Sequence, residues 1–364
     1  MDTQDLALKR LTDQVLSARD SKTSLDIRGG NTKAFYGGTP RGEALDMRAL
    51  CGISSYEPTE LVVTVRAGTP LAELEATLAE KGQALTFEPP RFNSDGTVGG
   101  MVAAGLAGPS RASVGSVRDF VLGTTLLNGR GEVLTFGGQV MKNVAGYDVS
   151  RMMAGSLGVL GVICEVSLKV LPVAPATATL WFDWDETKSL QQLNRWAGQP
   201  LPISASAWHA RRLTLRLTGA QAAVHAAVQT LGGQITDPDA AATWWDSLRD
   251  QRHAFFALTD QELASGDALW RLSVPATTEP IRLPGQQLIE WGGAQRWWRT
   301  RADATQVRAV AQQAKGHAAL FRGTDKSAGA FAPLSPPLAR IHRGLKQAFD
   351  PSGIFNPGRL YPDL

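Results

Sequence analysis

Only two of the 364 residues are cysteine, Cys51 and Cys164. That excludes a disulfide framework, a four-cysteine zinc site and an iron–sulfur cluster held by this chain alone. Such scarcity points to a reduced, cytoplasmic compartment. Net charge is nearly absent too: 37 Lys and Arg against 34 Asp and Glu leave +3, too little to imply a nucleic-acid surface or a polybasic membrane patch. There is no long apolar run. The longest uncharged stretch of small residues, Val98 to Gly108, is 11 residues and glycine-rich, well short of the ~20 that span a bilayer. The opening Met1-Asp2-Thr3-Gln4-Asp5-Leu6 carries early acids and no apolar core of a signal peptide. Any membrane residence is therefore expected to come through a partner. Several chemical signatures are missing as well: a glycine-lysine-serine/threonine phosphate loop, a zinc-protease histidine pair and a serine nucleophile elbow. No histidine precedes His209, and neither a His-x-His pair nor a His-Gly-Asp-Gly string occurs. Internal repeats and low-complexity segments are not visible either.

What is present is distributed unevenly. Of 37 glycines, 23 fall between Gly29 and Gly161, and all six methionines lie at Met153 or earlier. All ten tryptophans lie at Trp181 or later and all five histidines at His209 or later. Two such inventories in a chain of this length read as two domains, with Pro172 and Pro175 marking the joint. The expected division is 1–173, 174–334 and a C-terminal helix and tail, 335–364, that returns to the first domain.

In the first domain Leu61–Ala67 reads as a strand, followed after Thr69-Pro70 by a helix whose Leu71, Leu74 and Leu78 share one face. Residues 121–127 and 132–136 flank Asn128-Gly129 as a hairpin. In 161–170 the apolar set Val162, Cys164, Val166, Leu168 and Val170 alternates with the rest, a strand that makes Cys164 an inert core thiol. The second domain reads as a strand over 177–184, helix 186–197, strands near 203–218, helix 220–231, a helix near 241–256, and strands near 269–274 and 286–291. Strand–helix–strand–strand–helix–strand is a ferredoxin-like order. The pairs Trp244-Trp245 and Trp297-Trp298 suit either an interface or a core. Leu338, Ile341, Leu345 and Phe349 mark one face of the last helix.

Three glycine segments carry the functional signal. The first is Arg28-Gly29-Gly30-Asn31-Thr32-Lys33 with Gly37-Gly38, directly after the apolar stretch Leu25–Ile27. Consecutive glycines let several backbone N–H groups point into one concavity, which suits a pyrophosphate, although a tight turn alone would use the same residues. The second runs Gly96-Thr-Val-Gly99-Gly100-Met-Val-Ala103-Ala104-Gly105-Leu-Ala-Gly108-Pro109-Ser110-Arg111, then Gly115-Ser116. The third is Lys142-Asn143-Val-Ala-Gly146-Tyr147-Asp148, leading to Gly155-Ser-Leu-Gly158-Val-Leu-Gly161. That last run precedes its strand and has the wrong spacing for a Rossmann dinucleotide loop.

In this order and spacing the three segments resemble the FAD-binding domain of the vanillyl-alcohol oxidase / p-cresol methylhydroxylase (PCMH-type) superfamily. The ending Phe349-Asp-Pro-Ser-Gly-Ile-Phe-Asn-Pro-Gly-Arg359 resembles that superfamily's C-terminal signature. Within it, Arg28–Lys33 and Lys142–Asp148 most resemble the family of FAD-binding subunits of bacterial glycolate oxidase, also called glycolate dehydrogenase. The resemblance implies an α+β fold: a two-subdomain FAD-binding domain, a smaller ferredoxin-like α+β domain, and the C-terminal helix. It implies that Arg28, Gly29, Gly30, Asn31, Thr32 and Lys33 lie at the FAD pyrophosphate. Gly99, Gly100, Gly105, Gly108, Pro109, Ser110 and Arg111 would lie along the isoalloxazine and ribityl groove, and Gly158, Gly161, Val162 and Ile163 at the adenine end. Arg111 and Lys142 would offset negative charge, and Asn356 would either close over the cofactor or serve as a turn residue.

Some superfamily members attach FAD through a histidine beside the first loop. Asn31 stands there in this chain, so FAD is expected to be dissociable. The implied reaction is oxidation of glycolate, a small 2-hydroxy acid, to glyoxylate, with electrons passed to an iron–sulfur subunit. The implied partners are that subunit and a larger FAD-containing catalytic subunit. Because the histidines read as single packed or surface residues, no catalytic base is assigned. A self-sufficient 2-hydroxy-acid dehydrogenase and a structural subunit with a vestigial flavin groove are the alternative readings.

Overall fold

The computed structural model describes residues 3–138 and 148–364. It separates into two compact units: Met1–Leu106 with Ser116–Pro172 and Pro333–Leu364, and Ala107–Gly115 with Val173–Ala332. FAD-domain segments from both chain ends thus share the first unit.

The first unit opens with helix α1 (Thr3–Ser21), whose buried Ala7, Leu11, Val15 and Ala18 follow a helical period. Strand β1 (Leu25–Arg28) then pairs in parallel with β2 (Glu43–Asp46), and Leu25 bridges in parallel to Phe355 of the C-terminal tail. Next come β3 (Ile53–Glu57), β4 (Val62–Arg66), helix α2 (Leu71–Ala79), β5 (Gln83–Ala84), helix α3 (Val98–Ala104), β6 (Val121–Leu127), β7 (Val133–Gly137), β8 (Val162–Lys169) and β9 (Leu171–Pro172). Five strands form an antiparallel sheet in the order β3-β4-β8-β6-β7. The core between α1, the parallel pair and this sheet gathers Leu25, Leu45, Met47, Leu127, Val162, Cys164, Ile354 and Phe355. Both ends of the chain therefore brace the strand that leads into the first glycine loop.

As expected, Leu71, Leu74 and Leu78 form the buried face of α2. Cys164 is buried on β8, and loss of hydration pushes its thiol up to about 12. The hairpin differs in its turn. Gly131, not Gly129, takes the left-handed φ of +82°, within a loop closed by the Asn128 N–H donating to the Glu132 carbonyl at 3.0 Å. Gly129 is needed for space, because a Cβ there would lie 2.6 Å from Asp350 Oδ1. The last helix, Pro336–Phe349, also departs from its pattern: Leu338 and Ile341 are 48% and 57% exposed, whereas Lys346 is buried. The Lys346 ammonium donates to the Val159 carbonyl (2.9 Å), the Phe355 carbonyl (2.8 Å) and Asp350 (2.7 Å), so polar bonds rather than the apolar stripe anchor the helix.

The second unit is built on one eight-stranded antiparallel sheet. Its strands are β10 (Ala176–Asp183), β11 (Ile203–His209), β12 (Arg212–Gly219), β13 (Gln234–Ile235), β14 (Ala268–Ser273), β15 (Gln286–Glu290), β16 (Gln295–Thr300) and β17 (His317–Arg322), ordered β13-β10-β12-β11-β15-β16-β14-β17. The ferredoxin-like strand order is present and occurs twice, although only the first half has the full strand–helix–strand–strand–helix–strand sequence, β14 running to β15 without a helix. Strands β10–β13 and β14–β17 each show it, and the halves join through β11 and β15 at Ala207↔Glu290 and Trp208↔Ile289. Helices Glu186–Ala197 and Gln221–Leu231 cover the first half through Leu190, Leu193, Trp196, Val224 and Ala227. Helix Ala304–Gln313 covers the second with Val307 and Ala311. Trp245, Trp297 and Trp298 are buried, with their indole N–H groups donating to Thr179, Glu290 and the Pro284 carbonyl. These tryptophans belong to the unit's core, which removes them as interface candidates.

Candidate functional site

Strand β1 delivers the first glycine segment into an open cavity in the first unit. Twelve expected residues line it: Arg28, Gly29, Gly30, Asn31, Thr32, Lys33, Gly99, Gly100, Gly158, Gly161, Ile163 and Asn356. Both glycines of the first loop are sterically required. A Cβ on Gly29 would lie 2.1 Å from Thr97 Oγ1, and one on Gly30 would lie 1.5 Å from the Asp95 carbonyl oxygen. The segment from Asp95 to Thr97 thus presses on one side of the loop and leaves the other to the cavity. Asn31 follows in the left-handed region at φ +56°, a conformation asparagine tolerates better than most residues. Among the described residues, the N–H groups of Gly29, Gly30, Asn31 and Thr32 donate to no protein acceptor. Four free donors at a concave wall form a cradle for an anion.

The opposite wall comes from α3 and the Leu157–Ile163 segment. A Cβ on Gly99 would lie 2.6 Å from that of Ala67, so α3 enters the wall in close contact with the end of β4. Gly158, at φ +74°, leaves room for Asn356: a Cβ there would stand 2.7 Å from the Asn356 Nδ2. Asn356 stands in the C-terminal tail just before Pro357. It lines the cavity from a left-handed φ of +42°, and its amide is fully engaged in holding the walls together. Its Oδ1 accepts from the Ile27 N–H at 2.8 Å, and its Nδ2 donates to the Leu157 carbonyl at 2.6 Å.

Three cations reach this cavity. Arg28 is paired with buried Asp26 at 2.5 Å. Arg359 donates to the carbonyls of Ala34 (3.1 Å) and Gly38, and burial lowers its pKa, an effect the charge of Asp26 opposes. Lys33 is half-buried, and desolvation lowers it to about 8. Asp26, Met47, Ala67, Thr97 and Arg359 are lining residues that sequence reasoning did not single out. Arg359 closes the C-terminal motif and Thr97 stands between expected glycines; Asp26 and Met47 carry no comparable signal.

Six expected residues lie elsewhere. Gly105, at φ +62°, caps α3 and packs against Gly155, where a Cβ would meet the backbone nitrogen at 2.8 Å. The Val162 side chain points into the core beside Leu127 and Cys164, because a strand sends successive side chains to opposite faces and Ile163 takes the cavity side. Gly108, Pro109, Ser110 and Arg111 belong to the second unit. There the Gly108 carbonyl accepts from the Trp291 indole (3.0 Å), Ser110 Oγ from Arg216 (2.5 Å), and the Arg111 guanidinium lies 4.7 Å from the centre of the Trp291 ring. Pro109 is buried between these anchored neighbours. Lys142 lies outside the described residues. The histidines are less isolated than their sequence positions imply: His209 and His253 meet edge to face at 5.8 Å in the second unit. No histidine lines the cavity, and among the described residues no cluster of metal-ligating side chains occurs.

Residues 9–137 match the FAD binding domain family model. Over its length the chain is similar to alkyldihydroxyacetonephosphate synthase at a TM-score of 0.65, with 15% identity, covering 96% of this chain and 74% of that one; this likeness concerns the fold. The family model together with the sequence relatives makes the chain an FAD-dependent oxidoreductase of the PCMH-type superfamily, with FAD as its cofactor. The chain is 48% identical to glycolate oxidase subunit GlcE of Escherichia coli (strain K12) over 354 residues, 97% of each chain. It belongs to the family of that subunit. More distant similarity reaches the D-lactate dehydrogenase of Anaerostipes hadrus, 34% identical over 38% of this chain and 29% of that protein. Glycolate oxidase subunit GlcD of Bacillus subtilis (strain 168) is 30% identical over 42% of this chain and 33% of that protein.

Proposed function

We propose that this chain is the FAD-binding subunit of a complex that oxidises glycolate to glyoxylate and hands the electrons to an iron–sulfur subunit. The end-to-end similarity to a glycolate oxidase subunit carries this reading. The cavity fits the cofactor: four free N–H donors at one wall and unpaired Lys33 nearby suit the pyrophosphate. Arg28, Gly29, Gly30, Asn31, Thr32 and Lys33 hold its anionic centre, while Gly99, Gly100, Gly158, Gly161, Ile163 and Asn356 border its flat parts. Bound FAD would supply a carrier that takes up electrons and passes them on.

The chain's own residues orient and charge-balance the cofactor. The one carboxylate lining the cavity, Asp26, is already paired with Arg28, and no histidine faces it. In this proposal the group that takes the substrate proton belongs to the larger FAD-containing partner. Two cysteines, one of them buried, require that the iron–sulfur cluster also come from a partner. Among the described residues no helix is long and apolar enough to cross a membrane, so contact with the inner face of the membrane runs through those partners.

The test is to purify the chain alone, record its visible spectrum, denature it, and add glycolate to the native protein without oxygen. The expected result is a yellow protein that releases FAD on denaturation and keeps its colour with glycolate. Bleaching by glycolate would instead make the chain a self-sufficient dehydrogenase. A colourless protein that gains no stability from added FAD would make it a structural subunit.

A further inference from the structure

The cradle at Gly29–Thr32 ends in a cation whose surroundings differ from those of its neighbours. Arg28 is neutralised by Asp26, and Arg359 is spent on the carbonyls of Ala34 and Gly38. Arg91, beside Phe92, is paired with Glu75. Lys33 has none of this: among the described residues no carboxylate lies within salt-bridge distance of its Nζ. Its contacts are the Thr32 hydroxyl at 3.2 Å and the Phe92 ring, 5.6 Å away. It nonetheless stands half-buried in the cavity wall, one residue past the free N–H donors. A partly desolvated ammonium with no counter-charge is costly to hold charged. An anion entering the cradle would supply the missing partner.

We propose that Lys33 makes FAD binding proton-linked: its ammonium stands partly desolvated in the cavity wall with no counter-charge of its own, and the cofactor's pyrophosphate supplies one. This rests on the assignment of the cavity to FAD. Burial lowers the lysine to about 8 in the empty protein, and an opposite charge within a few ångströms raises it again. The sign follows from linkage. Affinity is fully present below the empty-state pKa and is lost as pH rises through it, because binding above that point must first recharge the amine. The lysine is about ten-elevenths charged at pH 7 and about one-eleventh at pH 9, so the Kd for FAD should rise about tenfold between them. Among the described residues that share the cavity, Arg28 is paired with Asp26 and Arg359 donates to two backbone carbonyls, and any slope that survives in Lys33→Gln measures what other groups contribute.

The experiment compares FAD binding by the wild-type chain, Lys33→Gln and Lys33→Arg, by equilibrium titration at pH 7 to 9. Calorimetry in two buffers of different ionisation enthalpy gives the protons taken up per FAD. The wild type should weaken about tenfold and approach one proton taken up per FAD at pH 9. Lys33→Arg should bind tightly with no pH dependence, and Lys33→Gln should bind about 10- to 100-fold more weakly at pH 7, also without dependence. A flat wild-type profile, or the same slope surviving in Lys33→Gln, overturns the proposal. A wild-type chain that binds no FAD even at pH 7 overturns the cofactor assignment beneath it, and that failure differs from the others, which all presuppose binding at pH 7.

Discussion

Replacing Asn356 by alanine tests whether the C-terminal tail builds the cofactor cavity or only lies beside it. The side chain joins two walls through two buried bonds: the Ile27 N–H to Oδ1 at 2.8 Å, and Nδ2 to the Leu157 carbonyl at 2.6 Å. Alanine leaves both backbone groups unsatisfied, at about 1–3 kcal/mol each. It must also hold the left-handed φ of +42°, a conformation that costs a residue with a Cβ roughly 1–2 kcal/mol. The sum is about 3–8 kcal/mol. For a unit of fewer than 250 residues each kcal/mol moves the melting temperature by about 2–4 °C, so Asn356→Ala should melt at least about 6 °C lower. FAD affinity should fall with it, because Ile27 immediately precedes the loop that carries the free N–H groups. Asn356→Gly separates the contributions: it relieves the backbone strain while leaving the same two groups unpaired, and should recover about 1 kcal/mol. The assays are differential scanning calorimetry of the cofactor-free chain and titration with FAD. An alanine variant that melts within 2 °C of wild type, with FAD affinity unchanged, would refute the claim that this amide holds the walls together.

Gly30→Ala places a Cβ where the Asp95 carbonyl oxygen now stands 1.5 Å away. It should destabilise the first unit by roughly 3 kcal/mol and abolish FAD retention, read by the flavin absorbance of the purified protein; retention at wild-type level would show that the loop can move aside. The two thiols should differ sharply in reactivity, since Cys51 is exposed while Cys164 is buried with its thiol pushed up to about 12. A thiol reagent at pH 8 should modify one cysteine per native chain and both after unfolding, and two rapid equivalents in the native state would contradict the burial of Cys164.

The sequence by itself determined the elements whose pattern is local. Leu71, Leu74 and Leu78 mark a helix face, the alternation around Cys164 marks a strand, and the glycine loop announces itself because glycine has few other uses at such density. The last strands, β16 and β17, passed unread, as did the doubling of the ferredoxin-like order, because strand pairing joins residues far apart and leaves no local period. The indole N–H groups of Trp297 and Trp298 find acceptors in neighbouring strands and turns, and only the folded sheet shows that these rings are core. Tertiary structure also decided which expected residues meet. Val162 and Ile163 are adjacent in sequence, yet the strand sends one into the core and the other to the cavity. The resemblance puts residues 108–111 along the flavin groove, but Arg216 and Trp291 hold that stretch in the second unit. Asn356 and Arg359 stand more than 300 residues from β1 and the loop they brace. A motif gives the kinds of residue a cofactor site needs. Which of them face the cavity depends on strand direction and on hydrogen bonds between distant segments, and those exist only once the chain has folded.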